Sequence, residues 1–398
     1  MGPSWLPVKL CVLLASSIAC VQSVVPLTAQ ALPREQFTPI TAEVLSTPQP
    51  FPGSDGRRHI AYELMVSNVL PIGPGDTPYT VTIKSVRTLG EGRVLNSLAG
   101  DELNLRSIPF GATEPGATLS GGRSGFILMD VSLPLNAKLP KRLVHRFRVS
   151  VSPPNPVSVS TYRAGPTRVE TRPPPIIAPP LRGSGWVVGN GCCSDLTSHR
   201  LAVLGVDGGI HASERFAIDF IQLRPDGHLL DGPIDRLSSY PFFGDPIRSV
   251  APGRVVGIQK GLPETQPDLS LPPSTAWRAG GNYVVVRLSK HRYAFYAHLQ
   301  PGSTRVKVWD RVKTGQVLGL LGSSGNSNFP HLHFHLMDGP EPLASNGIPY
   351  RFRKFGVQGR LENFGGVVEG EEASLSRHLK GPKRSRMPMN LQVLNFGS

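Results

Sequence analysis

Three histidines alternate with apolar residues in the segment Pro-His-Leu-His-Phe-His that ends at His335. If this segment is a strand, His331, His333 and His335 project from one face at a spacing of about 6.6 Å, because side chains on a strand alternate between its faces. Neutral imidazoles at this pitch can hold a zinc ion with one ring while the next ring hydrogen-bonds to substrate. A solvated polar face is the alternative explanation of the same pattern.

The segments around these histidines form an ordered series of predicted strands. Residues 281–288 and 293–299 indicate two paired strands, and the second contains the sequence Tyr-Ala-His that ends at His298. Further upstream, the sequence Arg-Phe-Ala-Ile-Asp-Phe contains Arg215 and Asp219.

This order of segments resembles the lysostaphin or LytM-type zinc metallopeptidases, which cut peptidoglycan cross-bridges, and the resemblance covers most of residues 186–352. In that family a His-x-x-x-Asp element and the second histidine of a His-x-His element bind zinc, and two further histidines assist the reaction. The resemblance therefore implies that Asp219 and His333 are zinc ligands and that His298 and His331 are the catalytic pair. It also implies a β-sheet peptidase fold, a Zn²⁺ cofactor and a peptidoglycan or peptide substrate.

The chain departs from the family at the first zinc-binding position, which Arg215 occupies. A guanidinium group is permanently protonated and has no lone pair to offer a metal. Either another residue supplies the third ligand, or the site lacks zinc and Arg215 partly neutralises Asp219.

His199 is the preferred substitute for the missing ligand. Residues 200–206 and 215–223 are predicted as two strands joined by a glycine-containing turn, which would place His199 opposite the region that begins at Asp219. His211, in the connecting loop, is the second candidate. The third candidate is His335, which occupies a position where the family usually has glutamate.

Two classes of function are compatible with these residues. Ligation by His199, Asp219 and His333 would leave a fourth coordination position open, as in catalytic zinc sites. This set predicts a secreted zinc metalloendopeptidase that acts on peptidoglycan peptide cross-bridges or a related peptide. Arg215 favours the alternative, a catalytically inactive cell-wall-binding or regulatory module that keeps the peptidase fold.

Composition and local patterns predict an all-β chain. The 43 glycines and 40 prolines favour strands and turns over helices. In alternating segments such as residues 143–151, His145 shares a face with apolar residues and is predicted as a satisfied core histidine. These segments indicate an immunoglobulin-like β-sandwich that precedes a lysostaphin-type β-sheet peptidase domain. Proline clusters then indicate an extended linker. The predicted boundaries are a signal peptide at residues 1–31, the sandwich at 32–151, the linker at 152–182, the peptidase-like domain at 183–355 and a C-terminal tail at 356–398.

The N-terminus indicates export. Lys9 precedes an apolar run, residues 10–19, that is too short for a permanent membrane helix. Cleavage after Ala31 would make the protein secreted or periplasmic, and lipid anchoring at Cys20 is the less favoured alternative. The remaining sequence contains no stretch with the length and apolarity of a transmembrane helix.

The formal charge of +14 at pH 7 indicates attraction to anionic surfaces. An exported protein meets few nucleic acids and many wall carboxylates, so an anionic cell envelope is the favoured partner and no nucleic-acid partner is expected. A charged, solvated surface without a specific partner is the alternative explanation.

Cys192 and Cys193 are adjacent in the sequence. A disulfide between neighbouring residues requires a strained ring, and we therefore expect two separate thiols.

Overall fold

Strands dominate the computed structural model, which describes residue 2 and residues 35–70, 78–152, 158–193, 196–268 and 278–397. The all-β prediction is confirmed. Apart from residue 2, the predicted signal peptide lies outside the described residues, as do Lys9, Cys20 and Ala31. Within the described ranges, no helix has the length and apolarity needed to cross a membrane.

The first elements of the chain form two antiparallel sheets. One sheet has the strand order β1-β3-β8-β6 with β2 beside β3, and the other has the order β10-β9-β4-β5 with β7 beside β4. The elements are β1 (Ile40–Val44), β2 (Phe51–Pro52), β3 (Arg57–Asn68), β4 (Thr80–Gly90), β5 (Arg93–Ala99), the helix α1 (Gly100–Arg106), β6 (Ser107–Pro109), β7 (Thr118–Leu119), β8 (Ser124–Pro134), β9 (Arg142–Ser152) and β10 (Ser158–Arg168).

The two sheets enclose one hydrophobic core. Ile60, Tyr62 and Leu64 on β3 are buried in it together with Phe147 on β9, because alternate residues of a strand face the same side. His145 is fully buried, and its Nε2 lies 2.7 Å from the hydroxyl oxygen of Tyr62, so it is the satisfied core histidine that the sequence predicts. The immunoglobulin-like character of this sandwich remains a prediction.

Part of the predicted linker is a strand of the sandwich. β10 pairs antiparallel with β9, and Tyr162 on β10 stacks on Phe147 with ring centroids 6.0 Å apart. The Tyr162 hydroxyl donates a hydrogen bond to the carbonyl oxygen of Ile40. The proline clusters flank this strand, so the sandwich extends to Arg168 rather than ending at residue 151.

The remaining elements build a 13-stranded sheet with the order β11-β24-β27-β12-β15-β22-β19-β18-β17-β20, in which β23 pairs with β22, and β25 and β26 pair with β24. Two small sheets, β13-β14 and β16-β21, accompany it. The elements are β11 (Ile176–Ile177), β12 (Gly183–Gly189), α2 (Ser198–Leu201), β13 (Val203–Val206), β14 (Gly209–Ala212), β15 (Ile218–Gln222), a 3₁₀ turn (Leu237–Ser239), β16 (Pro246–Arg248), β17 (Gly253–Gln259), β18 (Asn282–Ser289), β19 (Arg292–Leu299), β20 (Arg311–Val312), β21 (Val317–Leu320), β22 (Leu332–Met337), β23 (Gly347–Ile348), β24 (Arg351–Leu361), α3 (Phe364–Val368), β25 (Leu375–Ser376), β26 (Gly381–Arg386) and β27 (Gln392–Gly397).

The predicted C-terminal tail belongs to the large sheet. β27 lies between β24 and β12, and its residues Val393 and Leu394 are buried in the core. Because β27 is paired along both of its edges, residues 356–397 complete the peptidase-like domain instead of following it.

The sandwich and the large sheet share buried contacts within the compact unit that begins at Thr38. Phe51 of the sandwich meets Phe216 edge-on, with ring centroids 5.4 Å apart. A second apolar cluster joins Phe126 on β8 to Val203 on β13. The two parts are therefore packed together and are not connected by the chain alone.

Cys192 and Cys193 are joined by a disulfide bond, and both residues are buried. The expectation of two separate thiols is therefore wrong, because the two Cα atoms lie only 3.1 Å apart and the adjacent sulfur atoms come within bonding distance.

Candidate metal centre

The predicted zinc-binding histidine and aspartate lie on neighbouring strands. β22 pairs antiparallel with β15, and His333 is the direct cross-strand partner of Asp219. Directly paired residues project their side chains to the same face of a sheet, so the two groups meet although 114 positions separate them in the sequence. Nδ1 of His333 lies 3.0 Å from Oδ1 of Asp219. The sheet register thus assembles two of the predicted ligands.

His199 approaches the same carboxylate from α2. Its Nε2 lies 3.2 Å from Oδ2 of Asp219, and the rings of His199 and His333 are 4.8 Å apart at their centroids. One donor atom from each of His199, Asp219 and His333 lies within 4.8 Å of the other two. The structure therefore brings the preferred substitute ligand into contact with the predicted set, which we call the donor cluster.

The local structure that carries His199 differs from the predicted one. Asp207 and Gly208 have φ values of 50° and 77°, as in the tight two-residue turns that favour hairpins. This turn pairs β13 with β14 in a separate small sheet, so residues 200–206 do not pair with β15. His199 instead lies on the short helix before the hairpin.

The donor cluster fits a zinc ion. Imidazole nitrogen and carboxylate oxygen are zinc donors, and three protein ligands leave a fourth coordination position open. Nδ2 of Asn190 donates a hydrogen bond to Oδ2 of Asp219 at 2.7 Å. Such contacts from outside the ligand set orient the ligands of metal sites.

The charges of the donor cluster also suit a cation. Burial lowers the pKa of His199, but the negative charge of Asp219, a hydrogen bond to it and the charge of Glu214 raise this pKa to about 9. Burial raises the pKa of Asp219, but the charge of His199 and hydrogen bonds with His199 and His333 hold it well below its ordinary value. The carboxylate is therefore ionised, and its charge is balanced by a proton on His199. A bound metal ion would displace this proton and supply positive charge in its place.

His298 and His331 form a second pair beside the donor cluster, with ring centroids 4.4 Å apart. Nδ1 of His298 lies 2.7 Å from the carbonyl oxygen of Ser324, and Nδ1 of His331 lies 2.9 Å from that of Phe329. Because a carbonyl oxygen only accepts hydrogen bonds, both Nδ1 atoms carry the proton and both Nε2 atoms present a lone pair. Nε2 of His331 is 3.5 Å from Oδ1 of Asp219, which connects the pair to the cluster.

Both rings of this second pair are neutral near pH 7. Burial lowers the pKa of His298 well below its ordinary value. Burial also lowers the pKa of His331. The backbone of His298 has a φ of 61°, a conformation that is uncommon outside glycine and occurs preferentially at active sites.

Arg215 contacts the sandwich and not the donor cluster. It is buried, and its Nε donates a hydrogen bond to Oε2 of Glu63 on β3 at 2.7 Å. It lines a cavity of about 500 Å³ that is separate from the one onto which the histidines open. The structure therefore does not show Arg215 neutralising Asp219, which was the second possibility raised by the sequence.

The two other candidates for the third ligand occupy different places. Nδ1 of His335 lies 3.0 Å from Nε2 of His333, so His335 contacts a ligand ring and not the carboxylate. His211 lies on β14, and among the described residues the donor cluster does not include it. The alternation in the sequence of β22 predicted that His335 lies on the same face as His333. No local sequence pattern predicted that Asn190 contacts Asp219.

The histidines open onto a cavity of about 740 Å³. Tyr283 and Phe295 contribute aromatic surface to its wall, and Glu341 and Ala344 belong to a loop at its edge. The cavity thus combines a polar centre with apolar walls, and most ligand sites are apolar clefts with a few placed polar groups.

Comparison with known proteins places part of the chain in one family. Residues 240–345 match the sequence profile described as Peptidase family M23. This segment contains His298, His331 and His333, whereas His199 and Asp219 precede it.

Three relatives share sequence with the chain. The glycyl-glycine endopeptidase ALE-1 of Staphylococcus capitis is 27% identical over 209 residues, which cover 47% of this chain and 46% of the relative. Lysostaphin of Staphylococcus staphylolyticus is 29% identical over 169 residues, covering 42% and 26% of the two chains. The peptidoglycan DD-endopeptidase ShyC of Vibrio cholerae is 44% identical over 57 residues, covering 14% and 13%. The chain thus spans less than half the length of each of these relatives.

Proposed function

We propose that the protein is an exported zinc metalloendopeptidase that cleaves peptide cross-bridges of peptidoglycan, and the match of residues 240–345 to Peptidase family M23 supports this proposal. The observation that carries the proposal is the donor cluster of His199, Asp219 and His333, which lies beside the pair His298 and His331 in one cavity. These five side chains combine a zinc donor set with two neutral imidazoles.

The donor cluster would hold the zinc ion. When bound, zinc is a Lewis acid that polarises the carbonyl group of a substrate. Asn190 donates a hydrogen bond that fixes the Asp219 carboxylate. Nδ1 of His335 can accept a hydrogen bond from the Nε2–H group of His333. These outer contacts fix the rotation of the carboxylate and of the imidazole, and this is the usual task of groups around a metal site.

His298 and His331 would move protons during peptide cleavage. Each ring is anchored through its Nδ1 to a backbone carbonyl group, so Nε2 is the atom that takes up a proton. Because burial keeps both rings neutral near pH 7, each can act first as a base and then as an acid. A protonated Nε2 can also donate a hydrogen bond to the oxyanion that forms at the attacked carbonyl.

The proposed substrate class follows from the relatives and from the cavity. The relatives are described as a glycyl-glycine endopeptidase and a peptidoglycan DD-endopeptidase, so glycine-containing and direct peptide cross-bridges are the first bonds to test. The net charge of +14 favours accumulation on an anionic wall. Export by the predicted signal peptide would bring the protein to this substrate.

Metal analysis of the purified, processed protein tests the proposal. We expect about one zinc per chain, and we expect His199→Ala to lose it because two remaining ligands rarely hold zinc tightly. His211→Ala is the matched control, since it removes a histidine from the adjacent hairpin but leaves the donor cluster intact. Cleavage of purified sacculi, measured by the release of new amino groups, should be lost with His199→Ala and retained with His211→Ala.

Wild-type protein that holds no zinc after incubation with the metal, and cleaves no cross-bridge, would exclude the enzyme. Co-sedimentation of that metal-free protein with sacculi would then support the wall-binding module.

A further inference from the structure

We infer that the N-terminal sandwich completes the metal site, because Glu63 on β3 holds His199 in place through Arg200. The inference rests on the proposed function, in which His199 is a zinc ligand. Glu63 and Arg200 are positioning residues in this scheme, since neither contacts the donor cluster directly.

Glu63 and Arg200 form a buried ion pair between the two parts of the protein. Both side chains are inaccessible to solvent, and Nη1 of Arg200 lies 3.0 Å from Oε1 of Glu63. Nη2 of Arg200 donates a second hydrogen bond to the backbone carbonyl oxygen of Met129 on β8, at 3.3 Å. Arg200 is therefore anchored to two neighbouring strands of the sandwich.

This anchor determines the position of His199 because the two residues are adjacent on a very short helix. α2 contains only four residues, and a helix of this length is not stable without tertiary contacts. Thr197 also supports it through its side chain, which accepts a hydrogen bond from the backbone nitrogen of Arg200. Successive helical residues point in different directions, so Arg200 reaches the sandwich while His199 faces Asp219.

The residue at the first zinc position of the family takes part in the same ion cluster. Oε2 of Glu63 accepts a hydrogen bond from Nε of Arg215 at 2.7 Å, and Nη2 of Arg215 also forms an ion pair with this carboxylate. One buried carboxylate thus binds two guanidinium groups, one beside His199 and one four positions before Asp219. Removal of Glu63 would leave two buried guanidinium groups uncompensated, which is strongly destabilising, whereas removal of one arginine leaves a neutral ion pair.

A role in stability alone makes a different prediction from a role in positioning. Arg200→Met and Arg215→Met each leave one buried oxygen of Glu63 without its hydrogen-bond donor, so both variants should have a lower thermal midpoint. Only Arg200→Met releases the helix that carries His199. The matched pair therefore separates loss of stability from loss of a ligand.

Zinc affinity of the full, processed protein is the decisive measurement. Competition with a chromogenic zinc chelator should show that Arg200→Met and Glu63→Gln bind zinc about 10–100-fold more weakly than wild type, as expected when groups that orient ligands are removed. Arg215→Met should keep the wild-type affinity. The visible spectrum of the Co²⁺-loaded protein should change in Arg200→Met and remain unchanged in Arg215→Met, because it reports the ligands around the metal.

Each outcome decides between the alternatives. A wild type that binds no zinc overturns both this inference and the proposed function. A wild type that binds zinc with the same affinity and Co²⁺ spectrum as Arg200→Met overturns this inference alone. If Arg200→Met does not fold, Arg200→Lys replaces it, since lysine keeps the charge but lacks the planar fork that reaches two acceptors. An unchanged zinc affinity in folded Arg200→Lys and folded Glu63→Gln would likewise overturn it.

Discussion

Raising the pH from 6.5 to 9 is expected to destabilise the protein through His59. This buried imidazole on β3 lies between two carboxylates, with Nε2 2.9 Å from Oδ2 of Asp55 and Nδ1 3.0 Å from Oδ2 of Asp130. Burial alone lowers the pKa of His59, but hydrogen bonds to Asp130 and Asp55 and the charges of both groups raise it to about 9.

The sign and size of the effect follow from this pKa. An unfolded histidine titrates near 6.5, so the raised pKa of His59 contributes stability that is fully present below pH 6.5 and is lost as the pH rises through 9. The difference of about 2.5 pKa units corresponds to about 3 kcal/mol of unfolding free energy. Solvent screening reduces this little, because His59 is only 4% exposed.

Urea unfolding at several pH values between 6 and 9 measures the effect, and fluorescence of the fully buried Trp186 can report the transition. The pKa of His199 is also raised to about 9, so the wild-type curve contains both histidines. Comparison with His59→Gln isolates His59, because the variant keeps the contribution of His199. If wild type and His59→Gln lose the same unfolding free energy over this range, the assignment of His59 as a charged buried group is refuted.

Three further predictions concern the core and the site. Burial lowers the pKa of His145 to about 4, so it contributes stability that is present above pH 6.5 and lost as the pH falls through 4, and His145→Gln should flatten urea midpoints measured between these values. Phe334→Ala, which empties a fully buried position, should cost about 3–5 kcal/mol of unfolding free energy in the same assay. Gly281→Ala should lower the rate of sacculus cleavage while zinc content stays unchanged: Gly281 has a φ of 61° and an added Cβ would collide with Ser324, whose carbonyl oxygen anchors His298. A Gly281→Ala protein with wild-type cleavage would contradict this account of how His298 is held.

Patterns within a few residues determined the strands and the direction of their side chains. The alternation of His331, His333 and His335 with apolar residues predicted a strand with one polar face, and β22 contains His333 and His335 while His331 directly precedes it. A sequence can predict such a strand because the side chains of a strand alternate between its two faces with a period of two residues. The same reasoning identified His145 as a core residue.

The sequence analysis selected His199 as a ligand, but the local structure on which this selection was based differs from the one in the protein. The predicted long hairpin would have paired residues 200–206 with the strand of Asp219. The turn at Asp207 and Gly208 closes sooner and sends these residues into a separate sheet. Turn conformation decides the pairing register, and a sequence pattern compatible with two registers does not distinguish them.

Only the tertiary structure decided what Arg215 does and what supports His199. The carboxylate that binds Arg215 belongs to Glu63, 152 positions earlier, and the same carboxylate binds Arg200 from 137 positions away. No spacing within the sequence relates these three residues, because their contact depends on how the sandwich packs against the large sheet. Local periodicity therefore placed the histidines on a strand, whereas the packing of distant elements determined which side chains surround Asp219.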